Sequence, residues 1–196
     1  KAGTLTEFLI SNRSKEITQI QNAIVTGLQQ GKSYTQMSES IAGIIGKVTS
    51  KDGTLTASGA IANALRITRT EGTRAMNAAS IASSMYLDGE GVKIEKEWVA
   101  SLDDRTRATH AHLDGKRVPV DDPFPGGAMY PGDFPSVGQN CNCRCTTIDI
   151  IDGESPQLRT GRNPNTGKNE TFDYKGFGQW AKDNGLKKNV YGEYYK

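Results

Sequence analysis

The chain has 196 residues, a hydrophobic share of 35 % and a formal net charge of +2. The apolar share lies below the globular average of roughly 45–50 %, which predicts one domain of ordinary size, an appendage and a modest core. The small charge excludes a polyanion-coating surface, and no apolar run approaches the roughly 18 residues that span a bilayer.

The first third reads as helical. Thr4-Leu5-Thr6-Glu7 is a capping-box pattern, in which the hydroxyl bonds a free N–H and the glutamate reaches back. Ile17, Ile20, Ile24 and Leu28 recur at helical spacing, and Gly31 is a C-terminal stop. A second box, Ser33-Tyr34-Thr35-Gln36, starts a helix with Met37, Ile41, Ile44, Ile45 and Val48 on one face. Ser50-Lys51-Asp52-Gly53 breaks it.

A third helix is predicted over roughly residues 56–87. Ile61, Leu65, Thr68, Gly72, Ala75, Met76, Ala79 and Tyr86 form its stripe, with Arg66, Thr70, Thr73 and Asn77 as a polar row beside it. The row reads as a solvated face or as a polar site facing the next domain.

After Asp88-Gly89-Glu90-Gly91 the period changes to two. Val92 to Val99 alternates like a strand, with Val92, Ile94 and Trp98 on one side. A short helical turn follows, capped by Asp103 or Asp104, carrying His110 and ended by Gly115. Lys116 to Val120 resembles a strand. Residues 121–140 hold four prolines, Pro123, Pro125, Pro131 and Pro135, which forbids regular structure and predicts a long loop anchored by Phe124, Tyr130 and Phe134. Arg144 to Ile151 reads as a strand. Residues 152–196 read as an irregular extension that docks through Phe172, Tyr174, Phe177 and Trp180. Helices first, then strands and loops, indicate an α+β organisation. The expected division is 1–53 as an N-terminal helical region, 54–151 as the core domain and 152–196 as the extension.

All three cysteines fall in Cys141-Asn142-Cys143-Arg144-Cys145. The odd number excludes a complete intrachain disulfide set and favours a reducing compartment. With His110 or His112 they carry the atoms of a zinc site. An extended run of three such cysteines would span roughly 13 Å and could not close on one ion without a bulge or turn near Asn142. A Cys–His nucleophilic pair is a further option. The preferred reading is structural: Cys143 and Cys145 are buried on one face of a strand and Arg144 points the other way. His110 then holds the 121–140 loop. Asp103-Asp104-Arg105-Thr106-Arg107 reads as a local ion-pair network.

Taken together, these residues resemble the Mu F-like minor head (head morphogenesis) proteins of tailed bacteriophages. The resemblance runs over about residues 60–150. It is carried by Arg69-Thr70-Glu71 with Arg74 and Asn77, then Lys96-Glu97-Trp98-Val99, Asp103-Asp104-Arg105-Thr106-Arg107 and His110. Leu113-Asp114-Gly115, Phe124, Tyr130-Pro131-Gly132 and Asn142-Cys143-Arg144-Cys145 complete it. Some relatives carry His-Pro where this chain has Asn140-Cys141, so a metal set that uses that histidine lacks it here.

The resemblance implies a compact α+β domain behind a helical region, and the start at Lys1 in mid-pattern suggests a piece of something longer. It implies a virion protein made in the bacterial host cytoplasm, without membrane contact. Its partners are the portal protein at the portal vertex, capsid and scaffold components, and packaged double-stranded DNA. Contact with DNA would fall to Arg66, Arg69, Arg74, Arg105, Arg107, Lys187 and Lys188. No cofactor and no catalytic residue is implied. The alternative is an ADP-ribosyltransferase-like, NAD-binding or toxin-related domain, since the family has been grouped with that fold. Arg69 or Arg74, Ser83-Ser84 and Glu95-Lys96-Glu97 would line up with its motifs, although the serines lie on a predicted helix where a strand is required.

Overall fold

The computed structural model describes residues 5–45, 57–190, 192, 194 and 195. The chain divides into two compact units, Lys1–Gly72 and Thr73–Lys196. The division falls inside a helix, whereas the sequence placed boundaries after residues 53 and 151.

The first unit holds α1 (Leu5–Gln29), α2 (Tyr34–Ile45) and the first turns of α3 (Ala57–Gly89). The second capping box is formed: the Ser33 N–H donates to Gln36 Oε1 at 2.9 Å and the Gln36 N–H to Ser33 Oγ at 3.3 Å. Ile24, Ile41 and Ala64 make a small core, flanked by Ile20, Leu28, Ile45 and Ile67. Ile17, expected on this stripe, is 52 % exposed. The approach of α1 to α2 is close, since a Cβ on Gly27 would lie 2.4 Å from the Met37 side chain. The Thr4-Leu5-Thr6-Glu7 box, Val48 and the Ser50–Gly53 break lie outside the residues or side chains described.

In the second unit α3 continues, followed by β1 (Ile94–Val99), α4 (Ala108–Leu113), β2 (Arg117–Pro119), α5 (Val137–Asn140) and β3 (Thr146–Ile151). The strands form an antiparallel sheet in the order β2-β1-β3, with Lys96 opposite Val118 and Asp149, and Trp98 opposite Thr147. This is an α+β fold. Residues 152–196 carry more regular structure than their composition suggests: the hairpin β4 (Leu158–Arg162) and β5 (Asn169–Asp173), then α6 (Phe177–Asp183) and the short pair β6 (Lys187–Lys188) and β7 (Tyr194–Tyr195).

Three expectations are corrected. The inward face of α3 is only in part the predicted stripe: Thr68 and Gly72 are buried, but Met76 and Tyr86 are 56 % and 68 % exposed, while Ala64, Asn77, Ile81 and Ser84, outside the stripe, are buried. Polar residues face inward in the second unit because their partners there are polar. Ser84 Oγ donates to the Asp149 carboxylate at 2.8 Å, and Asn77 bonds loop carbonyls. Neither Asp103 nor Asp104 caps α4, whose N-cap is Arg107 with no side-chain bond. A separate turn at residues 103–105 precedes the helix and takes up Asp103. The alternation of β1 also breaks, because Lys96 and Glu97 are both buried. Lys96 Nζ donates to the Val120 carbonyl at 2.8 Å and lies over the Phe124 ring; burial lowers its pKa. Glu97 pairs with Arg117 at 2.7 Å and accepts the Tyr174 hydroxyl.

One core joins the sheet to the C-terminal segment. Trp98, Leu102, Leu113, Phe124, Phe134, Cys143, Cys145, Phe177 and Trp180 belong to a single buried cluster. Burying each large apolar side chain contributes about 1.5–3 kcal/mol. Asp114, just past α4, accepts the N–H of Ala100 at 2.7 Å and that of Phe177 at 2.6 Å. It also accepts two bonds from the Arg159 guanidinium, at 2.6 and 2.9 Å. Arg159 in turn reaches the carbonyls of Ala100 and Lys175. Both side chains are 5 % exposed or less, so removing one leaves a buried, unpaired charge. Asp114→Ala is expected to lower the unfolding free energy by about 3–5 kcal/mol in urea titrations. A loss below about 1 kcal/mol would place the pair among weak surface bridges.

Candidate functional site

Three segments meet at His110. α4 presents the imidazole, the single turn of α5 presents Gln139, and the stretch before β3 presents the sulfurs. Nδ1 of His110 lies 3.3 Å from Cys145 Sγ and 3.7 Å from Cys143 Sγ. Nε2 lies 3.1 Å from Gln139 Oε1, which also accepts the Thr109 hydroxyl at 2.9 Å. The ring is enclosed by Trp98 and Phe134, with centroids at 5.7 and 5.2 Å. His110, Cys143 and Cys145 are each 3 % exposed or less.

The cysteine run is not uniformly extended. Asn142 sits at φ 53°, a left-handed conformation that Asn tolerates better than most residues. A turn closes there, with the Cys143 N–H donating to the Asn140 carbonyl at 3.1 Å. The geometric objection to ligand convergence therefore fails for two of the three sulfurs. Cys143 and Cys145, two apart and on one face, both reach the ring, and with His110 their ligand atoms lie within 4.8 Å of one another. Cys141 is outside this group; its carbonyl accepts Arg107 at 2.6 Å.

The two thiols behave as a pair. Cys143 is lowered to about 5, first because the Cys145 thiol donates to its thiolate, and then because His110 stands beside it. Cys145 is raised well above the usual thiol range by that same donation, by burial and by the neighbouring sulfur. A thiolate beside an imidazole has the electronic character of a nucleophile, yet at 2 % exposure Cys143 presents almost no surface to a substrate.

Around this centre, side chains hold backbone. Arg144 forks onto Asp103, with its Nη2 at 3.0 Å from Oδ1. Asp103 also accepts the Arg105 N–H at 2.9 Å and lies within bonding reach of the Thr106 and Ser101 hydroxyls. Asn77 Nδ2 donates to the carbonyls of Pro131 and Cys145 at 3.0 and 3.1 Å, and its oxygen accepts Thr146 at 3.0 Å. Asn140 clasps Phe134 through both N–H and carbonyl, each at 2.8 Å.

The structure thus brings together Asp103, His110, Cys143, Arg144 and Cys145, with Asn142 exposed at the turn. Asp104 and Arg105 are exposed beside it, and Arg69 and Glu71 are exposed on the first-unit part of α3. Of the basic residues proposed for DNA, Arg66 is exposed in the first unit. Arg74, Lys187 and Lys188 are exposed in the second, with Lys188 over the Tyr194 ring. Sequence reasoning missed Gln139, Lys96 and the Asp114–Arg159 lock. Gln139 and Arg159 sit in polar, glycine-rich surroundings that resemble surface loops, while Lys96 and Asp114 fell inside recognised motifs without a role being read for them.

Comparison with known proteins gives the following. The family described as Phage Mu protein F like protein matches residues 18–148. The chain is 35 % identical over 182 residues, 91 % of its length, to the NAD(+)--arginine ADP-ribosyltransferase EFV of Enterococcus faecalis, of which it spans 34 %. It is 34 % identical over 183 residues to the Minor head protein GP7 of Bacillus phage SPP1, of which it spans 55 %. An uncharacterised protein of Haemophilus influenzae is 29 % identical over 147 residues. The chain therefore spans about a third to a half of the length of the first two relatives. No solved structure matches it at a significant level.

The division between buried and exposed motif residues is measurable. Asn77→Ala strands two carbonyls and a hydroxyl, with an expected cost of about 1–3 kcal/mol. Arg69→Ala, on the exposed helix surface, should stay within about 0.5 kcal/mol of the parent. Chemical denaturation of both variants checks the contrast, and equal losses would contradict it.

Proposed function

The chain belongs to the Phage Mu protein F like family, and from that premise we propose that it is the family domain of a phage minor head protein and acts in head morphogenesis. One observation carries the reading: residues that define the resemblance are held in buried or part-buried crosslinks. Asp103 holds Arg144, Asn77 holds the Pro131 and Cys145 carbonyls, and His110 joins Gln139 to the sulfurs. Residues used in this way support a rigid assembly component better than a reaction centre. The likeness to Minor head protein GP7 along most of the chain supports the same role. In this reading the protein is carried in the virion near the portal vertex, with the portal and capsid or scaffold proteins as partners.

Packaged double-stranded DNA is the further partner of the proposal, through Arg66, Arg74, Lys187 and Lys188. Each phosphate contact displaces counterions, so affinity for duplex DNA should fall steeply as salt rises. A flat salt dependence would remove DNA from the account.

A second reading, NAD-dependent ADP-ribosyl transfer, is favoured by the likeness to the Enterococcus faecalis protein, about a third of which the chain spans. Against it, Ser83 and Ser84 lie within α3, with Ser84 bonded to Asp149, and Glu97 is held by Arg117 and Tyr174. Calorimetric titration with NAD discriminates: binding heat at millimolar cofactor supports the transferase reading and its absence ends it.

Co-sedimentation tests the head role. The chain is expected to pellet with procapsids that contain the portal and to remain in the supernatant with procapsids assembled without it. Failure to pellet with either would refute the assignment.

A further inference from the structure

We propose that His110, Cys143 and Cys145 bind one zinc(II) ion, a site that holds α4, α5 and the segment before β3 together. The inference rests on local geometry and stands or falls separately from the head-assembly role.

The two N···S separations suit the ion. Zinc takes sulfur at about 2.3 Å and imidazole nitrogen at about 2.0–2.1 Å, so a nitrogen and a sulfur at the tetrahedral angle lie about 3.5–3.6 Å apart. The two N···S distances, 3.3 and 3.7 Å, bracket that value.

The second nitrogen of His110 is arranged accordingly. Metal-ligating histidines donate the other ring N–H to a carboxylate, carbonyl or water, which fixes the tautomer. Gln139 Oε1, 3.1 Å from Nε2 and held by Thr109, supplies that acceptor. With the proton on Nε2, the Nδ1 lone pair faces both sulfurs.

The Trp98 indole stands among the groups that act on the Cys145 sulfur. Among the described residues, Trp98 Nε1 is the buried side-chain polar atom left without a protein hydrogen-bond partner. A thiolate sulfur beside it is a better acceptor than a neutral thiol. Two thiolates, one neutral imidazole and Zn²⁺ sum to zero charge, which removes the repulsion that two buried anions would otherwise suffer. Binding releases both thiol protons to solvent. Soft sulfur ligands with imidazole select zinc over magnesium or calcium. The fourth corner falls to water, as in other sites with three protein ligands.

The test is cobalt(II) and zinc(II) titration of the full chain, purified reduced and stripped of metal. The wild type is expected to take up one equivalent of cobalt with sulfur-to-cobalt charge-transfer bands in the near ultraviolet, which zinc then displaces. Cys141→Ser should keep the bands, Cys143→Ser and Cys145→Ser should each lose them, and Gln139→Ala should weaken zinc binding about 10–100-fold without changing stoichiometry. Should the cysteine variants fail to fold, wild-type protein decides alone: chelation should lower its thermal midpoint and zinc restore it. Absence of the charge-transfer bands in the wild type, their survival in both Cys143→Ser and Cys145→Ser, or their loss in Cys141→Ser would overturn the assignment.

Discussion

A buried imidazole with both nitrogens engaged is the constraint on which the larger unit depends. His110 has no solvent to satisfy it, so both ring nitrogens must find partners in the protein. Gln139 meets that demand at Nε2 and the Cys143–Cys145 pair meets it at Nδ1. Meeting both at once fixes the position of a long proline-rich loop that has little regular structure of its own. The ring also packs between Trp98 and Phe134, so the polar and apolar parts of the core share one residue. The backbone follows: Asn142 turns left-handed so that Cys143 and Cys145, rather than Cys141, face inward.

The same logic recurs in the outer layers. Asp114 and Arg159 form a buried pair whose remaining hydrogen-bond capacity is taken up by backbone at Ala100, Lys175 and Phe177. Such pairs contribute little net stability relative to an apolar core, yet removing one partner is costly. Their effect here is to tie residues 152–196 to the β1–α4 region at one register, beside the aromatic contacts of Phe177 and Trp180. Glu97 does the same on the sheet by joining Arg117 to Tyr174. A core with a modest apolar share thus gains order from polar crosslinks. That agrees with the proposed role in head assembly.

Sequence patterning anticipated the elements better than their faces. The Ser33–Gln36 box, the change of period after Gly91 and the turn at Gly115 are local signals, readable because capping and alternation act over a few residues. The inward face of α3 was misread because its partners are carbonyls and a carboxylate. An apolar stripe is a poor guide when Asn77 and Ser84 are what the interior requires. Lys96 was hidden for a related reason, since a buried lysine is stabilised by the Val120 carbonyl and the Phe124 ring, both remote in sequence. At the cysteines the residue types were legible and their convergence was not. A turn at the left-handed Asn142 sets Cys141 apart from the two sulfurs that reach His110.

The central claim concerns a single proton. If His110 donates through Nε2 and turns a bare Nδ1 to the sulfurs, nitrogen-15 NMR of the imidazole in the full chain titrated with zinc should show hydrogen bound to Nε2 and none on Nδ1. A proton on Nδ1 with Nε2 bare would contradict both the Gln139 contact and the ligand geometry on which the account is built.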